Sequence, residues 1–117
     1  MRSIWHDPAV QHWDLTAVDA PRGTRDPFVI FEDDGARAVL ISLEPGQALG
    51  DHQVKENAWV SVIDGTVQAA AGGDAVELGP GGFLHFAPGE RHSVASAGGA
   101  RILLLLAPWP AEDHFRP

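Results

Sequence analysis

Gly46-Gln47-Ala48-Leu49-Gly50-Asp51-His52-Gln53-Val54-Lys55-Glu56-Asn57-Ala58-Trp59-Val60-Ser61-Val62-Ile63-Asp64-Gly65 and Gly81-Gly82-Phe83-Leu84-His85-Phe86-Ala87-Pro88-Gly89-Glu90-Arg91-His92 are the two stretches that decide the fold. Each is bracketed by glycine, and each carries an apolar strand pattern with a histidine at its start or end. Gly46, Gly65, Gly82 and Gly89 fall at strand ends, where the chain reverses and a positive backbone angle is useful. None of them reads as a phosphate cradle, because no helical pattern follows.

Working outward, the same rhythm fills the chain. Strand-like runs occur at His12-Val18, Pro27-Glu32, Ala36-Glu44, Ala58-Asp64, Thr66-Ala71, Ala75-Leu78, Phe83-Ala87, His92-Ser96 and Arg101-Ala107. Strong turn signals separate them, among them Asp33-Asp34-Gly35, Pro45-Gly46, Asp64-Gly65, Gly72-Gly73-Asp74 and Pro88-Gly89. No segment has the periodicity of a three-turn helix. Many short strands without helices predict an all-β antiparallel sandwich or barrel. If His52 faces inward, alternation carries Val54, Ala58, Val60 and Val62 inward with it. Trp59, Ser61 and Ile63 then lie on the other face. Ala58-Ile63 and Arg101-Ala107 are apolar on both faces, so the outer face should be covered as well. A homodimer is the expected cover, with Trp59 or Trp109 near the contact.

Composition narrows the function classes. The 117 residues suit one domain, 1–117, with an N-terminal arm over about 1–11 and a C-terminal tail over about 108–117. Thirteen Gly and nine Pro fit a turn-rich chain, and 44% hydrophobic residues fit a packed core. A net charge of -8, with Lys55 the only lysine, argues against nucleic-acid binding. No apolar run is long enough to cross a membrane as a helix, and the first residues lack a signal-peptide core. With no cysteine, disulfides and thiolate chemistry are excluded, and a reducing cytoplasm is the expected compartment. No nucleophile elbow, Walker loop, Rossmann fingerprint or zinc-finger spacing occurs.

The glycine, proline and histidine spacing resembles the two signature motifs of the cupin superfamily, over about residues 39–107. Gly46 and His52 match the first motif, and Gly81, Gly89 and His92 match the second. Where that motif has its second histidine this chain has Val54, and where it has its glutamate the chain has Ala58. Ala87 replaces the second motif's proline, which follows as Pro88. The resemblance implies a cupin-type jelly-roll barrel in which His52 and His92 meet inside. It also implies a site for a small molecule, in some members with a divalent metal. Metal-free sugar epimerases of the superfamily pair a tyrosine acid with a histidine base; this chain has no tyrosine, so that mechanism is not available in that form.

Four residues are the metal-ligand candidates: His52, His92, Glu56 and His85. Two imidazoles and a carboxylate make a facial set suited to Fe(II) or another divalent ion such as Zn, Mn or Ni. Glu56 lies two residues before the missing glutamate position, about 6–7 Å of extended strand, so only a bent loop returns it. His85, on the second-motif strand, could point inward. Val54, Ala58 and Gln53 are the candidate ligand-binding residues. A carboxylate partner that orients a histidine is sought in Glu56, Asp64 or a tail acid, since strand neighbours such as Asp51 and His52 face opposite ways. His6, His12 and His114 are assigned surface or packing roles, and Trp5, Trp13, Trp59 and Trp109 core or subunit contacts. Two functions follow: a divalent-metal enzyme of dioxygenase or isomerase type with a reduced ligand set, or a metal-free module that binds or senses a small molecule. A third, an interaction protein using its outer sheet, stays open.

Overall fold

The structure, a computed structural model, describes residues 10–112, excluding the side chains of 24–26 and 50–52. His6, His114 and Trp5 lie outside the described residues. Among the described residues nine strands follow in order: β1 (Gly23–Glu32), β2 (Arg37–Leu43), β3 (Gln47–His52), β4 (Asn57–Gly65), β5 (Val67–Ala71), β6 (Asp74–Leu78), β7 (Phe83–Phe86), β8 (His92–Ser96) and β9 (Ala100–Ala107). They form a five-stranded sheet, β1-β2-β9-β4-β7, and a four-stranded sheet, β3-β8-β5-β6. Neighbouring strands are antiparallel throughout; a lone parallel bridge joins Arg22 to Ser42. The all-β jelly roll expected from the sequence is present. The two sheets stack without closing into a continuous barrel.

The core lies between the sheets. Val39, Ile41, Val60, Val62, Ile102 and Leu106 project from the larger sheet, and Val67, Ala69 and Val94 from the smaller. In β4 burial alternates as the sequence does, with Ala58, Val60 and Val62 inside. β2 breaks the alternation, because Ala38 and Leu40 on its outer face are also buried, at 3% and 0% exposure. The segment before β1 is tied over that face. Arg101 Nη1 donates to the carbonyls of Leu15 and Val18 at 3.0 and 2.7 Å, and Trp13 stacks on Phe31 with ring centroids 6.3 Å apart.

Two expectations need correction. His12-Val18 is not a strand. Its centre is a turn in which Ala17 and Val18 amides donate to the Asp14 carbonyl, and the Thr16 hydroxyl donates to Asp14 Oδ1 at 2.6 Å. The Thr16 bonds hold the Asp14 carboxyl below its ordinary value of 3.8. The turn's charge-assisted bond is therefore present above that pH and is lost as pH falls through the lowered value. The second correction concerns register. β3 ends at His52 and β4 begins at Asn57 in the other sheet, so one alternation does not run from His52 through Val54 to Val62.

Gly65 shows why the turn residues are what they are. Its φ is +78°, and an added Cβ would sit 2.8 Å from Ala100 Cα, with the Gly99 carbonyl closer still. Gly65→Ala is expected to cost about 2 kcal/mol through the left-handed backbone and the backbone clash together. Thermal unfolding should read this as a fall of about 5–10 °C. An unchanged melting temperature would show that the turn can rebuild.

Candidate functional site

β8 places His92 on its inner face together with Val94, and His92 is 5% exposed. The Phe86 ring, from the facing sheet, stacks on the imidazole at a centroid distance of 4.1 Å and an angle of 3°. His92 Nδ1 lies 3.0 Å from the Glu90 carbonyl. A carbonyl only accepts, so Nδ1 carries the proton of this bond. The turn that supplies this carbonyl is itself fixed. Glu90 Oε1 accepts from the Ala87 amide at 3.1 Å, and the Gly89 amide donates to the Val54 carbonyl at 2.7 Å. Ring plane, tautomer and position of His92 are thus all set by neighbours.

Two clefts converge on the stacked pair. One, of about 230 Å³, lies at the open edge between the sheets and is bordered by Ala69, Ala71, Leu84 and Phe86. The other, of about 390 Å³, lies beside the β5–β6 hairpin and is bordered by Ala71, Gly72, Asp74, Arg91 and His92.

The candidates named from sequence scatter around this centre. His52 pairs with His92 in register across β3 and β8, which brings the two backbones together; its side chain, and with it the meeting of the two imidazoles that the resemblance implied, lies outside the described residues. Glu56 is fully buried, so its loop does bend inward, but its Oε2 accepts the Ala111 amide of the tail at 2.9 Å. His85 is a correction. It is exposed and sits on the outer face, tilted over Trp59 at 5.2 Å, with Nε2 2.8 Å from Asn57 Oδ1. Phe86 takes the inner position beside it, since adjacent strand residues face opposite ways. Ala58 is buried in the core with 0% exposure, Val54 packs against that core, and Gln53 is exposed. Gln53 and Val54 do share a cleft of about 410 Å³, with Lys55, Pro88 and Gly89, on the outside of this end. Asp64, sought as an orienting carboxylate, is exposed and borders a different cleft. The Glu90 carbonyl does the orienting instead.

The tail packs, and of the core or subunit roles expected for Trp109 the structure shows the core one. Trp109 is buried at 8% exposure in its own chain's core, its amide donates to the Gly35 carbonyl at 3.1 Å, and the Arg37 guanidinium stands 5.0 Å above its ring. It is therefore packed within its own chain and is not an exposed platform.

Among the described residues no three histidine, cysteine or carboxylate groups gather as a metal site would require. His92 and Glu56 are the buried donors, and one Glu56 oxygen already holds the tail. On their own these two residues do not make a metal centre. No helix among the described residues is long and apolar enough to cross a membrane.

Similar proteins give the same frame. A protein with a double-stranded beta-helix domain from Klebsiella pneumoniae matches at a TM-score of 0.73 and 19% identity, over 87% of this chain and 93% of its own. A conserved protein of unknown function from Streptococcus pyogenes matches at 0.72 and 18%, over 95% of this chain and 98% of its own. These two share the fold. A proposed mannose-6-phosphate isomerase from Ralstonia eutropha JMP134 is 26% identical, with a TM-score of 0.69 over 84% of this chain and 98% of its own. No curated protein matches the chain in sequence. The Cupin domain family matches residues 39–107, more than half of the chain and all of both glycine-bracketed segments, and the chain belongs to that family.

Proposed function

We propose that this protein binds a small oxygenated molecule at the Phe86–His92 pair and works as a ligand-binding or sensing cupin. The observation that carries this reading is the buried imidazole of His92, flat against Phe86, with Nδ1 committed to the Glu90 carbonyl. A ligand entering either cleft would pack beside this ring pair, while the apolar walls of Ala69, Ala71 and Leu84 cover its body. The test is thermal unfolding with a panel of small hydroxy acids, carboxylic acids and sugars, run on wild type and on His92→Gln. A binder at a hundred times its Kd should stabilise wild type by about 2.7 kcal/mol and leave the variant unmoved. Equal shifts in both proteins, or no shift with any compound, would overturn the reading.

A divalent-metal enzyme of isomerase or dioxygenase type is the second reading. The register of His52 against His92 favours it, as does the name borne by the Ralstonia neighbour. Elemental analysis of untagged protein separates the two readings: a stoichiometric metal that is lost in His52→Ala would replace the first by the second.

The proposed assembly is a cytoplasmic homodimer through the β9, β4 and β7 part of the larger sheet's outer face, beside the part of that face at β2 over which the segment before β1 is tied. Trp59, Leu103 and Leu105 share that face by cross-strand register, and Phe83 beside them is 63% exposed. Light scattering should give twice the chain mass at micromolar concentration, and Phe83→Glu should halve it. A monomeric wild type would remove this proposal.

A further inference from the structure

The outer face of β9, β4 and β7 is built of two cross-strand rows, Leu103 with Ser61 and Phe83, and Leu105 with Trp59 and His85. Besides His85, the three strands carry only Arg101 and Asp64 as ionisable residues, and these are register partners at one end of the face. In a chain with a net charge of -8, two copies repel wherever acid meets acid. Across these two rows they meet without one, so a second copy of the chain is the fitting cover for them.

His85 is the one side chain of those rows that changes charge between about pH 5 and 8. It is exposed in the single chain, and its ring is tilted over Trp59 at 5.2 Å. Nε2 lies 2.8 Å from Asn57 Oδ1; an amide oxygen accepts, so Nε2 holds the proton of that bond and acidification adds one at Nδ1. From β4, the strand beside it, His85 meets only the uncharged Trp59 and Asn57. Asp74 of β6 and Glu90 of the turn after β7 border a cleft together with His85, but among the described residues neither is ion-paired with it. Glu90 Oε1 already accepts the Ala87 amide.

We infer that the charge state of His85 controls the homodimer contact: the copies associate while the imidazole is neutral and separate as it gains a proton. The inference rests on the homodimer reading and adds its regulation. In the free protomer a charged ring keeps its water, and it stands within the roughly 6 Å of an indole ring at which a cation is attracted. At a two-fold contact the same patch of each copy faces the other, so both copies strip water from a charged ring among Trp59, Phe83 and Leu105. The charged form therefore favours the free protomer, and the contact weakens as pH falls. Protonation also reduces the net negative charge of each copy, which favours association. That long-range term is screened beyond about 8 Å at physiological salt, whereas desolvation at the contact is not.

Sedimentation equilibrium of the full chain at about pH 8 and about pH 5.5, in about 0.15 M salt, tests this. Wild type should be dimeric at the higher pH, and its dissociation constant should rise at least about tenfold at the lower. His85→Gln keeps an amide for Asn57 and takes no proton, so it should stay dimeric at both. His85→Lys carries the charge at both and should be monomeric at both; the position is exposed, so neither change disturbs the core. A wild type equally dimeric at both pH values overturns the inference and leaves the homodimer standing. So does a His85→Gln variant that separates on acidification as wild type does, since another group would then carry the response. A wild type that is monomeric at about pH 8 overturns the homodimer itself, and its regulation with it.

Discussion

Trp109→Ala is expected to lower the melting temperature by about 10–20 °C, the effect of removing a buried tryptophan worth about 3–5 kcal/mol. The ring is 8% exposed and belongs to the same cluster as Val39, Ala58 and Leu106. Removing it opens a cavity at the end of the sandwich and strips Arg37 of the ring it covers at 5.0 Å. Trp109→Phe keeps a ring in the cluster and under Arg37, and should lose only about 1–2 kcal/mol. Calorimetry of the three proteins measures the series. An alanine variant that melts within about 3 °C of wild type, less than 1 kcal/mol on this scale, would show that the tail is not part of the core.

That tail marks the boundary of what the sequence made legible. Turn signals at Asp64-Gly65, Gly72-Gly73-Asp74 and Pro88-Gly89 bound strands β4 to β8 to within a residue or two, because glycine and proline act locally and their effect needs no partner. β3 was not legible as a strand. Gln47-Ala48-Leu49-Gly50-Asp51-His52 lacks alternation, and its extended form is fixed by pairing with β8, with Gln47 opposite Ser96. His12-Val18 erred the other way: Trp13, Leu15 and Ala17 mimic alternation, yet the Asp14–Thr16 bonds fold them into a turn.

The site divides along the same line. His92 in the interior followed from the motif spacing. Phe86, next to His85, could have been found by asking which residue of that pair alternates with the buried side of β7. The role of the Glu90 carbonyl could not, since a backbone oxygen has no signature in a sequence. The fate of Glu56 was hidden for a stronger reason. Its carboxylate meets an amide 55 positions away, in a tail whose prolines suppress any pattern. Nothing local distinguishes a carboxylate that will hold a strap from one that will hold an ion.

Substitution at Glu56 separates those two roles, and its expected effect is the second largest. Glu56→Ala empties a fully buried position and leaves the Ala111 amide without its acceptor. The lost acceptor costs about 1–3 kcal/mol and the vacated volume adds to it, for a total of about 2–5 kcal/mol. Glu56→Gln keeps an oxygen for the amide and gives up only the charge, so its loss should be about 1 kcal/mol. Because Glu56 and Trp109 hold the same strap, the double alanine variant should lose less than the sum of the singles by about 1–2 kcal/mol. Urea unfolding of the four proteins gives this coupling directly. Additive losses would mean that Glu56 stabilises the fold independently of the tail, and the strap would then be held by Trp109 alone. A Glu56→Gln variant as unstable as Glu56→Ala would instead show that the charge itself is what the interior requires, as it would if the carboxylate served a cation.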